Sequence, residues 1–274
     1  MTERAHVQTQ MEGATLVVTL MNPPRNFMNA RMVAEITDLI DAVEHNEDVR
    51  AIVFTGGVEG IFITHYDVGE LSRASDAARE RAPQRERAAP RDPSQIELHG
   101  FNKMTLKMQS LPQPVIAAIN GTAMGGGCEF TLACDFRIAA RGFQIGLPEV
   151  RVGILPGAGG TQRMTRLIGV AKAMELMLLG NTVDGETAER IGLVHSAVEP
   201  DRVLPEALAL AAELASRPRL SVALIKQCIL QGVQMPLEEA LRFEQRAFNE
   251  TMRSEDASRL MRRYLGSERP LNEQ

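Results

Sequence analysis

Tryptophan is absent from the 274 residues, tyrosine occurs twice, and aromatic side chains make up 4% of the chain. A surface that stacks nucleic-acid bases needs more of them. A net charge of −5 gives no overall attraction to nucleic acid or to an anionic bilayer. No apolar run is long enough to span a membrane. The amino-terminal residues are polar and contain no signal-type apolar stretch. Cys128, Cys134 and Cys228 are too few and too scattered for a disulfide framework or a zinc site. Their mostly apolar neighbours mark them as buried thiols. The expected location is the cytoplasm, and no nucleic acid, membrane or metal is expected as a partner.

What remains is ample core material. Hydrophobic residues make up 44% of the chain, enough for one large domain and a smaller appendage. Residues 6–11 and 14–20 read as a hairpin turning at Glu12-Gly13. Asn29 is placed to cap a helix whose apolar face is Met32, Val33, Ile36, Leu39, Ile40 and Val43. Residues 51–54 and 114–119 read as buried strands, and 136–139 as another. Beyond about residue 200 the pattern is helical, over 203–215, 221–231, 236–251 and 256–264. Pro236 suits a first helical turn. Residues 73–93 differ in composition, with six Arg, four acids and three Pro; they read as a solvated loop or a frayed helix. A lid over a site is the functional alternative.

The chemistry concentrates after the strand at 114–119. Gly125-Gly126-Gly127 strips side chains from a loop, so the backbone can approach a ligand closely. A short helix reads from Cys128 onward, which puts the loop at a helix N-terminus, where negative charge is favoured. Such a loop can hold a developing oxyanion. Glu129 and Glu149 supply two carboxylates that could move protons. A second Gly-rich turn, Pro156-Gly-Ala-Gly-Gly160, precedes a helix over 161–168. His6, His45, His99 and His195 sit in no motif and read as surface or loop residues.

Ile119-Asn-Gly, Gly125-Gly-Gly-Cys-Glu129, Cys134-Asp135, Pro148-Glu149, Gly153 and Pro156-Gly-Ala-Gly-Gly-Thr-Gln-Arg163 together resemble the enoyl-CoA hydratase/isomerase (crotonase) superfamily. The likeness extends upstream to Asn22-Pro-Pro, Asn26 and 51–62, and downstream to Ala188-Glu-Arg-Ile-Gly-Leu-Val194. It implies an α/β fold, a spiral of ββα units over residues 1–199, with a flexible loop or lid at 72–100. An all-helical oligomerisation region would occupy 200–274 and support a homotrimer or a dimer of trimers.

The same resemblance implies an acyl-CoA thioester substrate, with no cofactor beyond the CoA it carries. The N–H groups of Tyr66 and Gly126 would form the oxyanion hole. Glu129 and Glu149 would be the acid/base pair that adds water to a 2-enoyl-CoA. Arg25, Asn26, His65, Asp67, Val68, Gly69, Gly125, Gly157 and Lys226 would contact acyl-CoA. Sister reactions of the family (double-bond isomerisation, thioester hydrolysis, C–C cleavage) are the alternatives, together with a weakly active acyl-CoA-binding homologue.

One stretch departs from the family pattern. Thr64-His65-Tyr66 stands where Ala, Gly and Ala or Gly are usual, although Asp67 is kept. Three consequences are open: a reshaped pocket, a side chain of His65 or Tyr66 in the chemistry, or a poorly formed hole with His65 strained at positive φ.

Overall fold

The computed structural model describes residues 5–81, 92, 94 and 96–271. The chain begins with β1 (Val7–Glu12) and β2 (Thr15–Leu20), paired antiparallel about the turn at Gly13. Helix α1 (Ala30–Val43) follows, and the Asn29 side chain accepts the Met32 N–H at 2.8 Å as its cap. β3 (Ala51–Gly56) and β4 (Ile61–Ile63) lead to α2 (Val68–Arg81) and α3 (Gly100–Ser110). Next come β5 (Val115–Ile119), β6 (Thr122–Met124) and α4 (Gly126–Thr131). β7 (Phe136–Ala140) and β8 (Gln144–Gly146) precede a 3-10 turn at Glu149–Val152. Then follow α5 (Gly160–Ile168), α6 (Val170–Leu179), β9 (Thr182–Asp184), α7 (Gly185–Arg190) and β10 (Ser196–Val198). α8 (Val203–Ser216), α9 (Arg219–Gly232), α10 (Leu237–Met252) and α11 (Glu255–Leu265) complete the chain.

Two sheets result, ordered β1-β2-β3-β5-β7-β10 and β4-β6-β8-β9. β3, β5 and β7 each feed the first sheet, and the strand after each feeds the second. That rhythm, closed by helices, is the expected spiral of ββα units. From β2 to β10 the large sheet is parallel, and β3 and β5 are buried along their whole length. Strand periodicity divides them between two layers. Ala51, Val53, Ile116 and Ala118 pack against Val203, Ala207 and Ala211 of α8. Ile52, Phe54, Ala117 and Ile119 join the larger core with α1 and with Phe62 and Phe130. α8 is therefore part of the sheet's packing, and the helices that stand off the core are α9 to α11.

At the end of the β3–β5 ladder a side chain takes over from the backbone. Asn120 Nδ2 donates to Gly56 O at 2.8 Å, and Gly56 N donates to Asn120 Oδ1 at 3.0 Å. The carboxamide thus supplies the donor and acceptor that another strand residue would have offered.

Several expectations need revision. Residues 73–81 continue α2, and Gly100 opens α3, so the span 72–100 begins in one helix and ends in another. Residues 82–91, 93 and 95, which the loop or lid reading also covers, lie outside the described residues. α4 starts at Gly126, two residues earlier than read, and Pro236 is the residue before α10 rather than within it. Cys128 and Cys134 are buried, but Cys228 is only partly so.

Candidate active site

Two backbone N–H groups meet between β4 and α4. After β4 the chain makes a parallel bridge to Met28: Met28 N donates to His65 O at 3.0 Å, and Asp67 N donates to Met28 O at 2.8 Å. The peptide between these bonds leaves Tyr66 N–H without an acceptor among the described residues. Gly125 (φ +50°) turns the chain from β6 into α4, and Gly126 is the first helical residue. Its N–H is one of the donors that a helix start cannot satisfy internally, and it too has no acceptor among the described residues. A Cβ at Gly126 would lie 3.3 Å from Tyr66 N and 3.1 Å from Tyr66 Cβ. Two idle N–H groups therefore stand side by side, and a side chain at 126 would crowd the gap between them. A carbonyl oxygen gaining negative charge fits that arrangement.

Both carboxyls lie on the same cavity. Glu129, on α4, is 4% exposed. Its Oε1 accepts from Ala158 N at 2.6 Å and from Gly160 N, the first residue of α5, at 2.8 Å. Burial raises its pKa, and the two N–H bonds pull the other way. Glu149 opens the 3-10 turn, and its buried Oε2 has no hydrogen-bond partner among the described residues. Burial, reinforced by the charge of Glu129, raises Glu149 to about 7. One carboxyl is thus held by two donors, and the other has an idle oxygen and a pKa near neutrality. That is the division of labour an acid/base pair requires. Cys128 is no rival nucleophile, because burial and the two glutamates push its thiol well above its ordinary value.

The cavity has a volume of about 640 Å³. Tyr66, Gly126, Glu129 and Glu149 line it, as do His65, Val68, Gly125 and Gly157. The other expected acyl-CoA contacts are placed elsewhere. Asn26 is fully buried at φ +50°; its Nδ2 donates to Leu20 O and Phe62 O, and its Oδ1 accepts from Asn22 N. It is a clamp between β2, β4 and the loop that carries it. Lys226 is buried in an ion pair with Asp135 at 2.7 Å and donates to Gln113 O at 3.0 Å. Asp67 Oδ1 accepts from Gly69 N at 2.7 Å, so these two residues build the start of α2. Arg25 is exposed and does not line the cavity.

Sequence reasoning missed His99. It lines the cavity and caps α3, and its Nε2 lies 3.0 Å from Gly157 O. Asn102 Nδ2 donates to the same carbonyl at 3.1 Å, and Arg163 Nη1 donates to Ala158 O at 3.0 Å. Arg163 also reaches Thr105 and Gln109 on α3. α3 therefore splints the turn whose N–H groups hold Glu129. No motif signals this, because the partners are 54 to 58 residues apart.

The altered stretch at 64–66 does not deform the site. Among described non-glycine residues only Asn26 has positive φ, so the expected strain at His65 is absent. The His65 ring stacks on Phe27 with centroids 4.6 Å apart. The Tyr66 hydroxyl donates to Glu70 Oε2 at 3.0 Å, and the backbone N–H of Tyr66 has no acceptor among the described residues.

Comparison with known proteins gives one answer. The enoyl-CoA hydratase/isomerase family profile matches residues 10–273. A short-chain-enoyl-CoA hydratase from Clostridium acetobutylicum is 34% identical over 96% of this chain and 95% of its own length. A crotonyl-CoA hydratase from Syntrophomonas wolfei is 33% identical over 91% of each chain. A crystal structure of an enoyl-CoA hydratase subunit from Geobacillus kaustophilus superposes with TM-score 0.85 at 34% identity, covering 98% of each chain.

Proposed function

Because the chain belongs to the enoyl-CoA hydratase/isomerase family, we propose that Glu129 and Glu149 act together to add water across the C2=C3 bond of a 2-enoyl-CoA. The enzyme is an enoyl-CoA hydratase. The thioester oxygen lies between Tyr66 N–H and Gly126 N–H. Glu129, ionised and held by Ala158 and Gly160, accepts a proton from water as the water oxygen bonds to C3. The π electrons move through C2 toward the thioester oxygen, which the two N–H groups stabilise as enolate character develops. Glu149, protonated, gives its proton to C2 as the enolate collapses. A proton returning from Glu129 to Glu149 restores both groups. CoA enters as part of the substrate, and these steps call on no further cofactor.

The observation that carries this reading is the meeting of two idle N–H donors and two raised carboxyls on one cavity. The test is mass-spectrometric product analysis with a panel of 2-enoyl-CoA and 3-enoyl-CoA esters. Gain of one water with CoA still attached is the expected result. Free CoA, a shifted double bond or a shortened chain would transfer the protein to a sister reaction.

The pH profile has a definite sign. Glu149 is the proton donor and its pKa is raised to about 7, so kcat/KM should fall as pH rises through that value. A steady-state profile from pH 5 to 9 checks this, and a rate that instead climbed through neutrality would reverse the roles of the two acids.

Exposed Arg25 is a candidate contact for CoA phosphates. Ile225 and Ile229 on α9, Val233 just after it, and Leu237, Leu241 and Phe248 on α10 leave an exposed apolar surface that supports assembly as a homotrimer or a dimer of trimers. No described helix is long and apolar enough to cross a membrane. The cytoplasm is the proposed location.

A further inference from the structure

Tyr66 gives its N–H to the site, but its side chain is braced by other contacts. The ring stacks on Phe101 of α3, with centroids 6.1 Å apart and planes inclined by 28°. Its hydroxyl donates to Glu70 Oε2 on α2 at 3.0 Å. The same oxygen accepts Ala30 N–H, at the start of α1, at 3.0 Å. Three helices therefore hold one ring beside the oxyanion hole.

The ring lines the same cavity as the apolar side chains of Val33, Leu71, Ala74 and Phe101, and it stacks on the last of these. Tyr66 Oη donates to Glu70 Oε2, so these residues present hydrocarbon surface to an acyl chain. The cavity of about 640 Å³ must also admit the thioester end of CoA. A fixed ring at this point limits the length left for carbon.

We infer that the Tyr66 ring, braced by Phe101, Glu70 and Ala30, is the wall that restricts the site to short 2-enoyl chains; this rests on the acyl-CoA reading of the cavity. The wall acts through shape. Each further methylene that gains an apolar place is worth about fourfold in affinity, and each methylene refused loses that gain.

The test compares wild type, Tyr66→Phe and Tyr66→Ala, all of which keep the N–H at position 66. Two ratios are read: kcat/KM for the eight-carbon over the four-carbon 2-enoyl-CoA, and calorimetric affinity for octanoyl-CoA over butanoyl-CoA. Wild type should favour the short ester, and Tyr66→Phe should keep that preference because the ring remains. Tyr66→Ala should raise both ratios by about tenfold or more. Tyr66→Leu, which fills part of the space, should shift them in the same direction and stands in if the alanine variant does not fold. Unchanged ratios in folded variants, or a wild type that already favours the long ester, would overturn the inference. Absence of hydration by wild type on every ester would instead sink the hydratase reading, and the affinity ratio would still decide whether the ring is a wall.

Discussion

Glu149→Gln and Glu129→Gln are each expected to lower kcat by about 100- to 10,000-fold. The two losses have different origins. At 129, a carboxamide oxygen can still accept from Ala158 N and Gly160 N, so the cradle survives and only the base is lost. At 149, the variant can no longer pass a proton to C2, and its amide meets surroundings that offer the buried oxygen no partner. The descending limb near pH 7 should disappear from the residual activity of Glu149→Gln and persist in Glu129→Gln at a lower pH, because that variant lacks the charge that helps raise Glu149. Affinity for a saturated acyl-CoA, measured by calorimetry, should change little in either variant, because the oxyanion hole and the apolar lining are untouched. Both variants retaining full turnover would remove the two acids from the mechanism. The double variant should fall little further than the worse single one, since the two groups act as one unit in a single addition of water.

The largest expected effect on stability lies outside the cavity. Lys226→Met should cost about 3 to 5 kcal/mol, because it leaves the Asp135 carboxylate, whose side chain is only 15% exposed, without its counter-charge. Burial already raises the Asp135 carboxyl more than Lys226 lowers it, so this pair has little Coulombic reserve. Asp135 Oδ2 also accepts Val115 N–H at 2.7 Å, which links the ion pair to the first residue of β5. Pairing Lys226→Met with Asp135→Asn should recover part of the loss, because a neutral side chain then occupies the buried position. Urea denaturation of the single and double variants measures both effects. A single-variant loss below about 1 kcal/mol would mean that Asp135 finds water or another cation. Acyl-CoA affinity of the folded single variant should stay at the wild-type level, which separates this residue from substrate binding.

The strands with unbroken apolar runs were legible because burial on both faces leaves a continuous signal, as at Ile116 to Ile119. The C-terminal helices were legible through their apolar spacing. The three-residue strands β4, β6 and β8 are too short to show any period. α3 carries Lys103 and Lys107 among few aliphatic residues, and its role shows only in contacts with distant turns. Within the site, Glu129, Glu149, Tyr66 and Gly126 were readable because each belongs to a motif of several residues. The internal partners of Asn26 and Lys226 are not legible in the sequence for one physical reason: a polar side chain satisfied inside the protein has the same letter as one waiting for a ligand. His99 was overlooked for the converse reason, since a capping residue next to a cavity leaves no local pattern.

The carboxamide that closes the β3–β5 ladder also bears on how the protein ages. Asn120 is followed by Gly121, the pairing in which a backbone nitrogen most readily attacks the side-chain amide and releases ammonia. Here both ends of that amide are engaged by Gly56, and Gly121 is packed so closely on Gly60 that a Cβ would lie 2.1 Å from its carbonyl carbon. The ring closure needs the side chain to leave its partners and the peptide to rotate. Loss of ammonia at this position is therefore a clock that runs only in molecules whose sheet has opened, and an isoaspartate at 120 would record past unfolding.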